Sequence, residues 1–298
     1  MTQNFKLHWS IDHNSAGLLI KEFLKMEEIS RTALTDIKFK GGRILVNSED
    51  VNVRYKLVEG DVLTVIFPSE SPSFPGEKLP LTILFEDEFL LVVVKPAGMS
   101  TIPSREHPAG SLANALLGYY QKTGLTATAH IVTRLDRDTS GIVLVAKHRH
   151  VHHLFSLMQR KSQVKRTYEA FAGGLLSVDR GTVNAPIGRK AESIIEREVR
   201  EDGQYACTHY RVISRHREFT QVELNLETGR THQIRVHMSY LGHPLLGDDL
   251  YGGDISLIDR QALHCKEIHF IHPLTREEMI FTAPLPDDMK KLIEAGRD

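Results

Sequence analysis

Residues 68–80, PSESPSFPGEKLP, divide the chain. Proline lacks a backbone N–H and fixes its own φ, so a stretch with four prolines and three serines can continue neither a helix nor a central strand. It reads as an extended connector, and whatever lies on either side must bury its own apolar residues. At 298 residues the chain exceeds the commonest domain size, which fits one small and one large domain. The division expected is therefore 1–67, a linker at 68–80, and 81–298.

Upstream of the connector, residues 16–26 (AGLLIKEFLKM) put Leu18, Leu19, Phe23 and Leu24 on one helical face, and Ser30 caps a second short helix in ISRTALTDI. GGRILVNSEDV and KLVEGDVLTVIF read as strands, which makes this part a small α+β unit. Downstream, strand patterns at 81–85, 90–94, 142–146, 167–172, 206–213, 220–226 and 279–282 outnumber helical ones at 111–121, 151–161 and 231–241. The fold class expected is α+β, with a mixed, mostly antiparallel sheet and peripheral helices rather than a doubly wound parallel sheet.

Composition excludes several classes. The two cysteines, Cys207 and Cys265, form no C-x-x-C pair, so neither a disulfide framework nor a zinc ribbon is indicated and a reducing, cytoplasmic setting is expected. No apolar run is long enough to span a membrane, and the N-terminal residues lack a signal-peptide pattern. The run H-R-H-V-H-H at 148–153 has no carboxylate or thiol beside it, so no metal is expected there. Gly-rich phosphate loops with the spacing of nucleotide sites are absent from the sequence.

With 37 Lys+Arg against 38 Asp+Glu, the net charge of −1 carries no message, but its distribution does. The segment Thr133-Arg134-Leu135-Asp136-Arg137-Asp138-Thr139-Ser140-Gly141 runs into the apolar strand IVLVA. Two carboxylates alternating with two arginines form a surface ion-pair network on the plainest reading. After Asp138, however, no acid occurs until Glu169, while Lys147, Arg149, Arg160, Lys161, Lys165 and Arg166 accumulate. A second acid-free stretch runs from Thr228 to Gly247 and contains Arg230, His232 and Arg235. Positive charge collected beside one acidic motif suits a polyanion, and arginines at a helix start suit phosphate oxygens.

RLDRDTSG at 134–141, KRTYEA around Tyr168, LETGRTHQIRVHMSYLGHPLLGDDLYG at 226–252 and KPAGM at 95–99 together resemble, in order, the signatures of the RluA-type pseudouridine synthases. The resemblance covers roughly residues 80–285. Residues 14–67 are similar to an S4 RNA-binding domain, although residues 1–67 hold nine Lys/Arg against nine Asp/Glu and so lack a basic excess. The family usually has His immediately before Arg-Leu-Asp, where this chain has Thr133.

The resemblance implies cofactor-independent isomerisation of uridine to pseudouridine in structured RNA; a monomer is expected, as the state that needs no extra assumption. Ribosomal RNA is the first expectation for the substrate and transfer RNA the alternative. The base is cut from sugar C1′, turned, and rejoined through C5, which requires a nucleophile for a temporary covalent bond but no metal or redox group. The family pattern makes Asp136 that nucleophile, a choice over Asp138 that the residues themselves leave open. It assigns Arg235 to orient the carboxylate, Tyr168 to stack on the base with its hydroxyl helping to remove the C5 proton, and Arg134 to help displace the nucleotide. Arg230, His232, Lys165 and Arg166 are expected to contact RNA. A non-catalytic RNA-binding or ribosome assembly protein on the same scaffold is the competing expectation.

Overall fold

The structure, a computed structural model, describes residues 4–72 and 74–296; Met1–Gln3, Ser73 of the expected connector, Arg297 and Asp298 lie outside the described residues. The first part of the chain contains β1 (Lys6–Ser10), α1 (Ile20–Met26), α2 (Arg31–Phe39), β2 (Arg43–Val46), β3 (Glu49–Asp50) and β4 (Val62–Ile66). Its four strands form an antiparallel sheet in the order β1-β4-β2-β3. Ile20, Phe23, Leu24 and Ile37 of the helices close over Ile44, Val46, Leu63 and Val65 to form a separate core. The Ser30 hydroxyl accepts from Ala33 N at 3.1 Å, the N-cap geometry that starts α2. Trp9 sits on the edge strand β1, edge-on to Phe23.

The remainder carries β5 (Thr82–Glu86), β6 (Leu90–Lys95), α3 (Leu112–Thr123), β7 (His130–Ile131), β8 (Ser140–Ala146), α4 (Arg149–Arg160), β9 (Lys165–Gly173), β10 (Arg180–Asn184), β11 (Ile187–Arg189) and β12 (Arg197–Val199). It continues with β13 (Cys207–Arg215), β14 (Phe219–Leu226), α5 (Gln233–Tyr240), a 3-10 turn at Asp249–Tyr251, β15 (Leu263–Ile271), β16 (Glu278–Thr282) and α6 (Asp287–Ala295). Ten strands make one sheet along β10-β13-β14-β9-β15-β8-β6-β5, with β16 on β15 and β7 on β8, while β11 and β12 form a separate hairpin. Among the described residues β8 and β15 are the parallel pair and every other pair is antiparallel, so the sheet is mixed and mostly antiparallel as expected.

Every residue of β8 is buried, as for a central strand covered on both faces. Gly141 explains how β8 approaches β15 so closely. Its φ is +118°, and a Cβ there would lie 2.3 Å from the Cys265 carbonyl oxygen.

One central element has no strand pattern in the sequence: β15 lies in the middle of the sheet. A β-bulge between Cys265 and Glu267 shifts the alternation, so Leu263 and Cys265 fall out of phase with Ile268 and Phe270 and the period of two is lost. The connector has no helix or strand among its described residues, yet it is tied down. Glu77 N donates to Asn114 O, Asn114 Nδ2 donates to Pro75 O, and Glu70 pairs with His130 at 2.6 Å, so the strap is tied along α3 and β7.

The histidine run lies where the two cores meet. His148 stacks on Phe5 at 3.9 Å between centroids, His150 stacks on Phe67 at 5.5 Å, and Arg149 pairs with Asp36 of α2 at 2.8 Å. His148 and His150 thus pack against the first core.

Candidate active site

The residues between β7 and β8 make a turn whose backbone is fixed from several sides. Thr133, in the place where the family usually has histidine, is buried and its hydroxyl accepts from Leu144 N at 2.9 Å. The Thr101 hydroxyl donates to Leu135 O at 2.6 Å and accepts from Leu135 N at 3.2 Å. Thr139 N donates to Asp136 O at 3.2 Å, which closes the turn.

Lys95 is completely buried, and its ammonium donates to Pro96 O, Met99 O and Arg137 O at 2.8, 2.8 and 2.9 Å. Its three N–H bonds thus all have acceptors. Burial lowers its pKa to about 7, against the pull of Asp138 and Asp136 in the other direction. The turn therefore presents the Asp136 side chain, 29% exposed, to a cleft.

Arg235 reaches the same point from the first turn of α5. Its Nη1 lies 3.4 Å from Asp136 Oδ2, while Nε and Nη2 each donate at 2.7 Å to the carboxylate of Asp248. Asp248 is fully buried, so its charge is matched by this two-pronged pair. Burial alone would lower the Arg235 pKa, but the hydrogen bonds and charge of Asp248 outweigh it and hold the group above its ordinary value. The Tyr251 ring lies under the guanidinium, 5.0 Å from Cζ to centroid.

His232, at the N-cap of α5, adopts φ +57°, an uncommon conformation for a residue with a side chain. Its ring bonds the Tyr251 hydroxyl at 2.9 Å through Nδ1 and brings Nε2 to 3.8 Å from Asp136 Oδ2. Burial lowers its pKa more than Asp136 raises it, which keeps the imidazole neutral at pH 7.

Tyr168 lies on β9, 4% exposed, with Arg166 Nη1 3.4 Å from its hydroxyl. Burial pushes the phenol above its ordinary value, so it stays protonated. Asp136, Tyr168 and Arg235 all line one inner recess that shares Arg134, Asp136, Arg166 and Arg230 with a cleft of 890 Å³. Five arginines, 134, 137, 160, 166 and 230, line this cleft against Asp136 and Glu227, so a near-neutral chain offers a strongly positive groove.

Lys165 is the exception among the expected residues. Successive strand residues point to opposite faces, so Arg166 faces the cleft with Tyr168 and Lys165 does not line it. Asp138 is likewise absent from the lining of the cleft and recess. Asp248 and Tyr251 belong to GDDLYG, the end of the 226–252 motif, where neither carries an expected role. A buried carboxylate has no mark that separates it from its neighbour Asp249 before the fold is known.

A carboxylate at the end of a positive cleft, with a locked guanidinium and an aromatic floor, is an arrangement for covalent chemistry on a base extruded from RNA. The profile described as RNA pseudouridylate synthase matches residues 89–240. The chain belongs to this family of RNA-modifying isomerases, in its RluA-type branch.

It is similar to the uncharacterized RNA pseudouridine synthase YjbO of Bacillus subtilis (strain 168), at 56% identity over 93% of this chain and 99% of that protein. It is also similar to ribosomal large subunit pseudouridine synthase D of Vibrio vulnificus (strain CMCP6), at 37% identity over 100% of this chain and 96% of that protein. Human RNA pseudouridylate synthase domain containing 1 shares the fold, with a TM-score of 0.59 and 24% identity over 75% of this chain and 97% of that one.

Proposed function

We propose that the chain isomerises one or more uridines of 23S ribosomal RNA, with Asp136 as the nucleophile. The ribosomal substrate is supported by relatives named ribosomal large subunit pseudouridine synthase D, of which this chain covers 83–96%. The observation that carries the catalytic assignment is the 3.4 Å approach of Arg235 to Asp136 at the inner end of the arginine-lined cleft.

In the reaction the carboxylate of Asp136 bonds to the target nucleotide and the N1–C1′ bond breaks. The uracil turns, and C5 bonds to C1′. C5 then loses its proton, N1 carries one, and release of the carboxylate leaves a product of unchanged composition. Arg235 holds the attacking carboxylate in place. Tyr168 supplies a ring face for the base, and because burial keeps its phenol protonated it acts as a hydrogen-bonding group rather than a phenolate. Arg134 and Arg230, both exposed at the cleft, contact the displaced strand, and Arg166 contacts it near the recess. Residues 4–67 act as an S4-like RNA-binding module carried on the catalytic part.

Carbodiimide mapping of 23S ribosomal RNA from a strain lacking the gene, beside its parent, tests the substrate. At least one pseudouridine should disappear and return with the wild-type gene. An unchanged 23S map with losses in transfer RNA would refute the ribosomal assignment.

A further inference from the structure

The residues matched by the family profile end at 240, but the contacts that hold the nucleophile turn do not. Residues 260–264 run beside residues 138–140 and grip them one after another. Arg260 Nη1 donates to Asp138 O at 3.1 Å, Gln261 Nε2 donates to Thr139 Oγ1 at 3.1 Å, and the His264 ring bonds Ser140 Oγ at 2.9 Å. The parallel pairing of β8 with β15 begins at that last contact, with His264 opposite Ser140.

Arg260 is itself held. Its Nε and Nη2 donate to the two oxygens of Asp288, on α6, at 2.6 and 2.9 Å, and Nη1 also donates to Gln261 O at 3.1 Å. With both edges of the planar guanidinium committed, the hydrogen bond to Asp138 O has a set direction.

The Arg260 backbone also lies against the loop that carries Asp248, the anchor of Arg235. Gly247, with φ +73°, lets the backbone before Asp248 press onto Arg260, where an added Cβ would stand 1.9 Å from the Arg260 carbonyl oxygen. One residue therefore fixes the carbonyl two positions after Asp136 and supports the loop that carries the anchor of Arg235.

We infer that Arg260, anchored by Asp288 of the C-terminal helix, is a positioning residue that sets the separation between Asp136 and Arg235. The inference rests on the assignment of Asp136 as nucleophile. A shift of the turn by a fraction of an ångström changes the geometry of attack far more than the affinity for RNA, because the cleft arginines are untouched.

The test uses the full-length protein with 23S ribosomal RNA from the gene-deletion strain. Asp288→Asn should lower kcat at least tenfold while KM for RNA stays within twofold, and Asp288→Glu should recover most of the loss. Asp287→Asn is the control: the neighbouring carboxylate lies in the same first turn of α6, bonds Lys290 instead, and should leave kcat unchanged.

Arg260→Lys keeps the charge without the two-pronged geometry and should match Asp288→Asn. Equal kcat for Asp288→Asn, Asp287→Asn and wild type, or normal kcat in Arg260→Lys, overturns the inference. Nitrogen NMR gives an arm independent of turnover. The Arg260 Nε proton should exchange slowly in wild type and rapidly in Asp288→Asn, and fast exchange in wild type also overturns it. If the wild-type protein forms no pseudouridine in this RNA while the NMR signature holds, the failure lies with the substrate assignment rather than with the anchoring.

Discussion

Lowering the pH from 7 to 5 should destabilise this protein sharply, and the cause lies in histidines buried in neutral form. His148 and His150, at the junction of the two cores, and His264, beside the Asp136 turn, each have a pKa lowered from 6.5 to about 4, with burial as the main cause. The unfolded chain binds a proton at each below pH 6.5 and the folded chain does not until about pH 4, so stability present above 6.5 is lost as the pH falls through that window. At pH 5 the loss is about 2 kcal/mol per histidine and about 6 kcal/mol for the three, comparable with the whole stability of an ordinary domain.

Burial also lowers His152, His232 and His237, which act in the same direction. Paired carboxylates such as Asp36, Asp87 and Glu70, lowered from their ordinary values, lose their contributions only at more acid pH, so the window belongs to the histidines. Urea unfolding at pH 7, 6 and 5 measures the effect. His150→Phe keeps a ring against Phe67 and removes the titrating group, so the pH dependence should weaken by about a third of the three-histidine effect. A midpoint that stays flat from pH 7 to 5, or a slope identical in His150→Phe, would refute the reasoning.

Other substitutions test separate parts of the structure. Arg235→Lys cannot reproduce the fork to Asp248 while reaching Asp136, so kcat should fall about 100-fold with little change in RNA affinity, checked by single-turnover rates and filter binding. Gly141→Ala forces a Cβ into the Cys265 backbone at positive φ and should cost about 3 kcal/mol or more, read from urea midpoints. Phe155→Ala removes a fully buried ring packed on Phe270 and should cost about 3–5 kcal/mol by the same measurement.

The residues that meet in the recess were legible because their chemistry and order are local. Thr133 to Gly141 announces a polar turn entering an apolar strand, and the acid-free stretches on either side of Tyr168 mark the walls of the cleft. What supports them was hidden, since it depends on long-range closure. Asp248 meets Arg235 across 13 positions, and Arg260 meets Asp138 across 122. Lys165 and Arg166 look equivalent in a basic run, and only the pleat of β9 sends one to the cleft and the other away. The histidine run suggested an ion to be excluded, whereas its rings pack against Phe5 and Phe67, partners distant in sequence. Residues 263–271 show no clear alternation because a bulge interrupts it, so the strand beside the Asp136 turn is the hardest to see in the sequence.

Wild-type protein and Asp136→Asn, each incubated with 23S ribosomal RNA from the deletion strain, give the most direct measurement. The extent of pseudouridine formation is read by carbodiimide-blocked primer extension, and RNA binding is measured in parallel. The wild type should restore the missing pseudouridine, and Asp136→Asn should bind the RNA with unchanged affinity and form none above the no-enzyme level. Restoration by Asp136→Asn at a rate near wild type would contradict the assignment of this carboxylate as the nucleophile.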